Sequence, residues 1–218
     1  MIPETIERLV ALEWSLFQET QNEGGRASCQ DDWETFRVMR AGQAMGWSEE
    51  LVAAWTRDME EAKAQGRNLV AEKYARMMAR TSPAAYRELE PMLPPVPEEA
   101  WTLIQSLCAQ LVAWTEEAKT RYPCLCAGGR PIHAEEDSPY DTSLETYHWG
   151  ELQTLSLPTL RLFDAYYREK ARAGENLYLE IQTHTAKLLG YASLEEAEQS
   201  MRAAGIQPSQ TCGGSCQR

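Results

Sequence analysis

Trp101-Thr102-Leu103-Ile104-Gln105-Ser106-Leu107-Cys108-Ala109-Gln110-Leu111-Val112-Ala113-Trp114 is the stretch that decides the fold class. Trp101, Ile104, Cys108, Leu111 and Trp114 recur every three or four residues, the spacing of one face of a long α-helix. A half-buried strand would alternate with period two instead. Just before this run, Pro91 to Pro97 holds four prolines, which read as a rigid connector because proline lacks the N–H a helix or strand needs.

Working outward, the same period returns on both sides. Pro3 opens a run carrying Ile6, Leu9, Val10 and Phe17 on one face, and Asn22 to Gly25 ends it. A second helix is predicted to start near Ser28, carrying Trp33, Phe36 and Met39-Arg40 to about Met45. Ser48 can cap a third, through Trp55, which Gly66 stops. Leu69, Val70, Tyr74, Met77 and Met78 mark a fourth, and Ser82-Pro83 restarts the chain after it. Residues 122–141 form a long irregular loop rich in Gly, Pro and acids, of a length that is usually functional. Thr142-Ser143-Leu144-Glu145 has capping-box spacing and opens the next helix, which Pro158 interrupts. Leu177, Ile181, His184 and Leu188 form the stripe of a penultimate helix. Ser193 caps the last, which Gly205 ends. The expected architecture is all-α: one domain over 1–207 with about eight to ten helices, and a cysteine-bearing tail over 208–218.

Composition narrows the function. The chain has 218 residues, 43% hydrophobic, with seven tryptophans, enough for a sizeable core and unlike a disordered chain. A net charge of −12 argues against a nucleic-acid footprint, which needs a basic stripe, but leaves room for a small anion gripped by one or two arginines. No apolar run approaches a membrane span and no signal peptide is visible, so the expected location is the cytoplasm. Six cysteines in that setting read as reduced thiols or metal ligands.

Four segments carry the remaining signal: Glu13-Trp14; Asn22-x-Gly24-Gly25-Arg26-Ala27-Ser28-Cys29-Gln30-Asp31-Asp32; Asn68 with Glu72-Lys73-Tyr74-Ala75-Arg76-Met77-Met78; and Thr142-Ser143-x-Glu145-Thr146-Tyr147 with Gly150-Glu151-Leu152. In these motifs the chain resembles an uncharacterised prokaryotic family, a domain of unknown function, over nearly its whole length to about Ala197. The resemblance implies one unit rather than two fused modules and brings no activity with it.

Of the thiols, Cys29 has the best reactive setting, since a helix N-terminus favours thiolate. Arg26 would add to this and Asp31 and Asp32 would oppose it; equally, Cys29 is a small packing residue beside a Ser28 cap. Glu72 and Arg76 are one turn apart and predict an ion pair, with Lys73 or Arg76 free to grip a carboxylate or phosphate. Glu145-x-x-His148 supplies half of a di-iron helical-bundle pattern, but Glu180 with His184 has different spacing and does not complete it. Cys124, Cys126, Cys212 and Cys216 could hold zinc or an iron–sulfur cluster if the tail folds back on the loop. Arg26 and Arg130 both follow a Gly-Gly, a pairing that chance explains. The phosphate-binding Gly-x-x-x-x-Gly-Lys, the Gly-x-Ser-x-Gly elbow and His-Glu-x-x-His are all absent from the sequence.

The leading expectation is a small-molecule enzyme or ligand-binding protein. Its polar pocket would be formed by 22–32, 68–78 and 142–151, with Cys29, Arg26, Glu72, Tyr147 and Glu151 as catalytic candidates. Asn22, Gln30, Asp31, Asp32, Asn68, Lys73, Tyr74, Arg76 and Glu145 would bind a small polar or anionic molecule. On this view Arg26 or Cys29 should reach Glu72 or Glu151. The alternative is a metal or thiol-redox protein working through the cysteine pairs, and the residual case an acidic helical interaction module.

Overall fold

The structure, a computed structural model, describes residues 1–21, 25–138 and 141–207. Ten α-helices and no strand occur among the described residues. In chain order they are α1 (Glu4–Glu19), α2 (Trp33–Met45), α3 (Glu49–Ala64), α4 (Leu69–Thr81), α5 (Pro83–Leu89), α6 (Glu98–Arg121), α7 (Leu144–Leu152), α8 (Leu157–Arg172), α9 (Leu177–Leu188) and α10 (Leu194–Ala203). None of them is long and apolar enough to cross a membrane.

The helix ends follow local chemistry. Ser48 accepts from Leu51 N and Ser193 from Glu196 N, each satisfying a first-turn donor that has no partner inside the helix. Gly66 and Gly205, at φ +74° and +83°, turn the chain out of α3 and α10. Pro158 does not kink a long helix; it sits in the first turn of α8, where its missing N–H costs nothing.

Two expected starts are corrected. The second helix does not begin near Ser28: Ser28–Asp31 is a separate 3-10 turn, and Asp32 caps α2 by accepting from Thr35 N at 3.0 Å. The cap of α7 is Ser143, which accepts from Thr146 N, rather than a Thr142–Glu145 box. Glu145 is drawn off to Arg80 and to Ala134 N in the preceding loop.

α1 packs on α2, α3 and α4; α6 packs on α7, α8 and α9; and the pairs α2·α9 and α4·α7 join the two groups. One main core runs through them, with Trp55, Phe163, Leu9, Leu16, Ile104 and Leu160 fully buried. A smaller cluster, including Tyr122, Leu179, Ala186 and Ala197, seats α10.

Glycines set both joining contacts. A Cβ on Gly42 in α2 would lie 2.2 Å from Thr185 Oγ1 in α9. One on Gly150 in α7 would lie 2.7 Å from Met77 Cγ and 3.0 Å from the Lys73 carbonyl oxygen in α4. Only glycine allows these backbones to approach so closely, and the second approach brings Lys73 up to α7.

Candidate functional site

Four helices each deliver one charged side chain to a single buried point. Glu13 lies on α1, Arg40 on α2, Lys73 on α4 and Glu151 on α7, and all four side chains are nearly or fully removed from solvent. Arg40 grips Glu13 with two parallel hydrogen bonds of 2.7 and 2.6 Å and reaches Glu151 at 3.2 Å. The same nitrogen that reaches Glu151 also donates to Gln43 Oε1 at 2.8 Å. Lys73 Nζ lies 3.5 Å from the same Glu151 oxygen and donates to the Tyr147 hydroxyl at 2.6 Å. The Lys73 ammonium also sits 4.2 Å from the Tyr147 ring centre and 5.0 Å from that of Tyr74, within cation–π range.

Charges buried this deeply are tolerated only when paired and hydrogen-bonded. Here two carboxylates face two cations, so the cluster is neutral as a whole. Burial alone would push Glu151 up, but Arg40 and then Lys73 outweigh it and hold its carboxyl below the usual range. Burial, aided by Glu151, pushes Tyr147 up to about 12, so its phenol keeps its proton at neutral pH. His148 is lowered to about 4, chiefly by burial, and stands as a neutral imidazole with Nε2 3.5 Å from the Tyr167 hydroxyl.

Arg40 and Glu151 of this cluster line a cavity of about 610 Å³, within the size range of small-molecule sites. The polar side carries Arg40, Gln43, Tyr147, His148 and Glu151, with Arg130 from the loop before α7. Apolar lining comes from Leu111, Leu125 and residues of α9 and α10 such as Ile181, Ala186 and Met201. Arg40, Tyr147 and Glu151 also line a second, internal space of about 30 Å³, beside Trp55 and Lys73. That space has room for about one water, and it is bordered by Trp55, whose Nε1 has no hydrogen-bond partner among the described residues. Arg130 stacks 4.8 Å above the Tyr147 ring centre and donates to the Thr142 carbonyl. Around the cavity, then, stand a phenolic donor, an ionised carboxylate, a neutral imidazole and a guanidinium: groups able to orient a polar head and to accept or give a proton.

Of the predicted residues, Lys73, Tyr74, Tyr147 and Glu151 come together here. The others lie elsewhere. Arg26 is exposed and binds Asp31, Gln18 and the Gln30 carbonyl; contact with Glu72 or Glu151 is absent from its partners. Gln30 is fully buried and ties its turn to the end of α1 through the Phe17 and Thr20 carbonyls. Asp32 and Asn68 are helix caps, and Asn68 also donates to the Leu16 carbonyl. The Glu72–Arg76 ion pair is corrected: Glu72 takes a two-pronged bond from Arg67, in the turn before α4, while Arg76 is buried against the Pro94 carbonyl. Glu145 groups with His133 and Glu135, apart from His148, whose partner is Tyr167. Cys124 and Cys126 border the large cavity, and Glu198 anchors the backbone N–H groups of Cys124 and Leu125. Neither thiol belongs to a metal-capable group among the described residues. Asn22, Cys212 and Cys216 lie outside the described residues.

Cys29 is exposed, but in the 3-10 turn rather than at the N-terminus of an α-helix, so the helix-dipole basis for a thiolate falls away. Accessibility alone still separates it from Cys108, which is buried and pushed by that burial up to about 12. Brief iodoacetamide treatment at neutral pH will modify Cys29 well before Cys108, read by mass spectrometry of the digested protein. Faster labelling of Cys108 would contradict this placement.

Residues 3–199 match the model of a family described as "Protein of unknown function (DUF4125)", and the chain belongs to that family. No curated protein matches the chain. No solved structure matches it either.

Proposed function

We propose that this member of the DUF4125 family is a small-molecule-binding protein whose ligand lies in the 610 Å³ cavity. The ligand's apolar body packs against α9 and α10, and its polar end meets Tyr147, His148 and the Arg40–Glu151 pair. One observation carries this reading: a largely apolar cavity ends on a wall of buried, mutually neutralised charge. Core packing does not require that wall. A paired buried cluster is often no more stable than a well-packed apolar one, whereas convergent polar groups at one end of an apolar cavity are the pattern of ligand sites. Lys73 acts behind the wall, donating to the Tyr147 hydroxyl.

The test is titration with N-phenyl-1-naphthylamine, a neutral fluorophore that brightens in apolar surroundings. Saturable enhancement with one site per chain is expected. Gln182→Trp, which places an indole in the cavity from a half-buried position on α9, will abolish it while the helical circular dichroism stays unchanged. Enhancement that never saturates, or that persists in Gln182→Trp, would refute the proposal.

A further inference from the structure

We infer that the ligand is an amphipathic carboxylate, an aliphatic or aromatic body with one anionic head, held at the head by Arg130 and Tyr147. The inference rests on the cavity being a ligand site, as proposed above. The charged residues on its wall are Arg40, Arg130 and Glu151. Arg40 and Glu151 belong to the neutral four-residue cluster with Glu13 and Lys73.

Arg130 is left over. Its polar contacts are the Thr142 carbonyl and the face of Tyr147, and among the described residues no carboxylate pairs with it. In a chain with 33 acidic and 21 basic side chains, a cation kept out of ion pairs at a cavity wall leaves the cavity with one uncompensated positive charge. Arg130 lies over the ring face of Tyr147, whose hydroxyl accepts from Lys73 and has its own proton to donate. A guanidinium and a phenol lining the same cavity suit a carboxylate, since hydrogen bonds to a charged group are the stronger kind. A cationic head would meet Arg130, and the cavity's one carboxylate, Glu151, is already paired with Arg40 and Lys73. The −12 chain would repel an anion at long range, so recognition must be local, and because Arg130 is exposed, salt should weaken it.

Isothermal titration calorimetry of the full chain with decanoate, decylammonium and 1-decanol separates the terms. Decanoate should bind at least about tenfold more tightly than decanol. In Arg130→Gln that advantage should disappear while decanol affinity stays the same, which also shows that the exposed substitution leaves the cavity intact. Tighter binding of decylammonium, or a carboxylate preference that survives Arg130→Gln, overturns the inference and leaves the binding cavity standing. Failure of all three probes to bind overturns the cavity reading itself.

Discussion

Replacing Arg40 with methionine will lower the free energy of unfolding by about 3–5 kcal/mol, the cost of leaving buried charge without its partner. Among the described residues Arg40 is the only cation bonded to Glu13, and it shares Glu151 with Lys73. Without it two carboxylates would face a single ammonium, and the helices carrying them could not relax outward without opening the core around Trp55, over whose ring Arg40 lies. Urea denaturation followed by circular dichroism measures the loss. The double variant Glu13→Gln, Arg40→Met retains the Glu151–Lys73 pair and should be destabilised less than Arg40→Met alone. A useful reference is Arg161→Met, which breaks the exposed pair with Glu99 and should cost under about 1 kcal/mol. An equally small loss for Arg40→Met would show that the cluster is solvated rather than buried.

Acid will destabilise the fold first through His148. In the folded chain its imidazole takes up a proton only near pH 4, against 6.5 for the ordinary group. Between these values the unfolded chain binds more protons than the folded one. The stability contributed by neutral His148 is therefore complete above pH 6.5 and lost as the pH falls toward 4, by about 3 kcal/mol across the window. Glu151, held below the usual carboxylate range by Arg40 and Lys73 against its burial, adds a loss of the same sign at lower pH as its carboxylate is protonated. Stability measured from pH 7.5 downward should thus begin to fall near 6.5. In His148→Phe the portion between 6.5 and about 5 should flatten, leaving the carboxylate-driven fall below it. An unchanged onset in His148→Phe would show that this histidine is not the group responsible.

Helical periodicity made nearly all of the fold legible, because a stripe such as Trp101 to Trp114 states both element and buried face. Caps and glycine stops at Ser48, Gly66, Ser193 and Gly205 placed boundaries for the same local reason. The start of α2 was misread because Ser28 and Asp32 are both competent caps, and the choice depends on Gln30 reaching back to the Phe17 and Thr20 carbonyls, a contact between segments. Half of the charged cluster was legible and half was missed. Lys73 and Glu151 stood in motifs dense with ionisable groups, whereas Glu13, although part of the Glu13-Trp14 motif, and Arg40 were not assigned to the site. A signal for Glu13 was present: it shares a helical face with Leu9, Val10, Leu16 and Phe17, all buried, and a carboxylate there must be paired. Its partner could not be named from sequence, since residues 13, 40, 73 and 151 meet only through the close approach at Gly150 and the packing of α1 on α2 and α4. Arg130 gave only the Gly-Gly-Arg repeat that chance explains, because its meaning lies in the ion pairs it does not make among the described residues.

In the proposed function, the wall formed by Arg40, Tyr147, His148 and Glu151 closes a cavity that holds a small molecule. A crystal structure of the protein soaked with 10-bromo-1-decanol tests it most directly, since bromine can be located by its anomalous scattering. The account predicts one bromine site on the apolar side, near Ile181 and Met201, with the hydroxyl directed toward Tyr147. A cavity collapsed by its own side chains, or bromine found only on the outer surface, would contradict it.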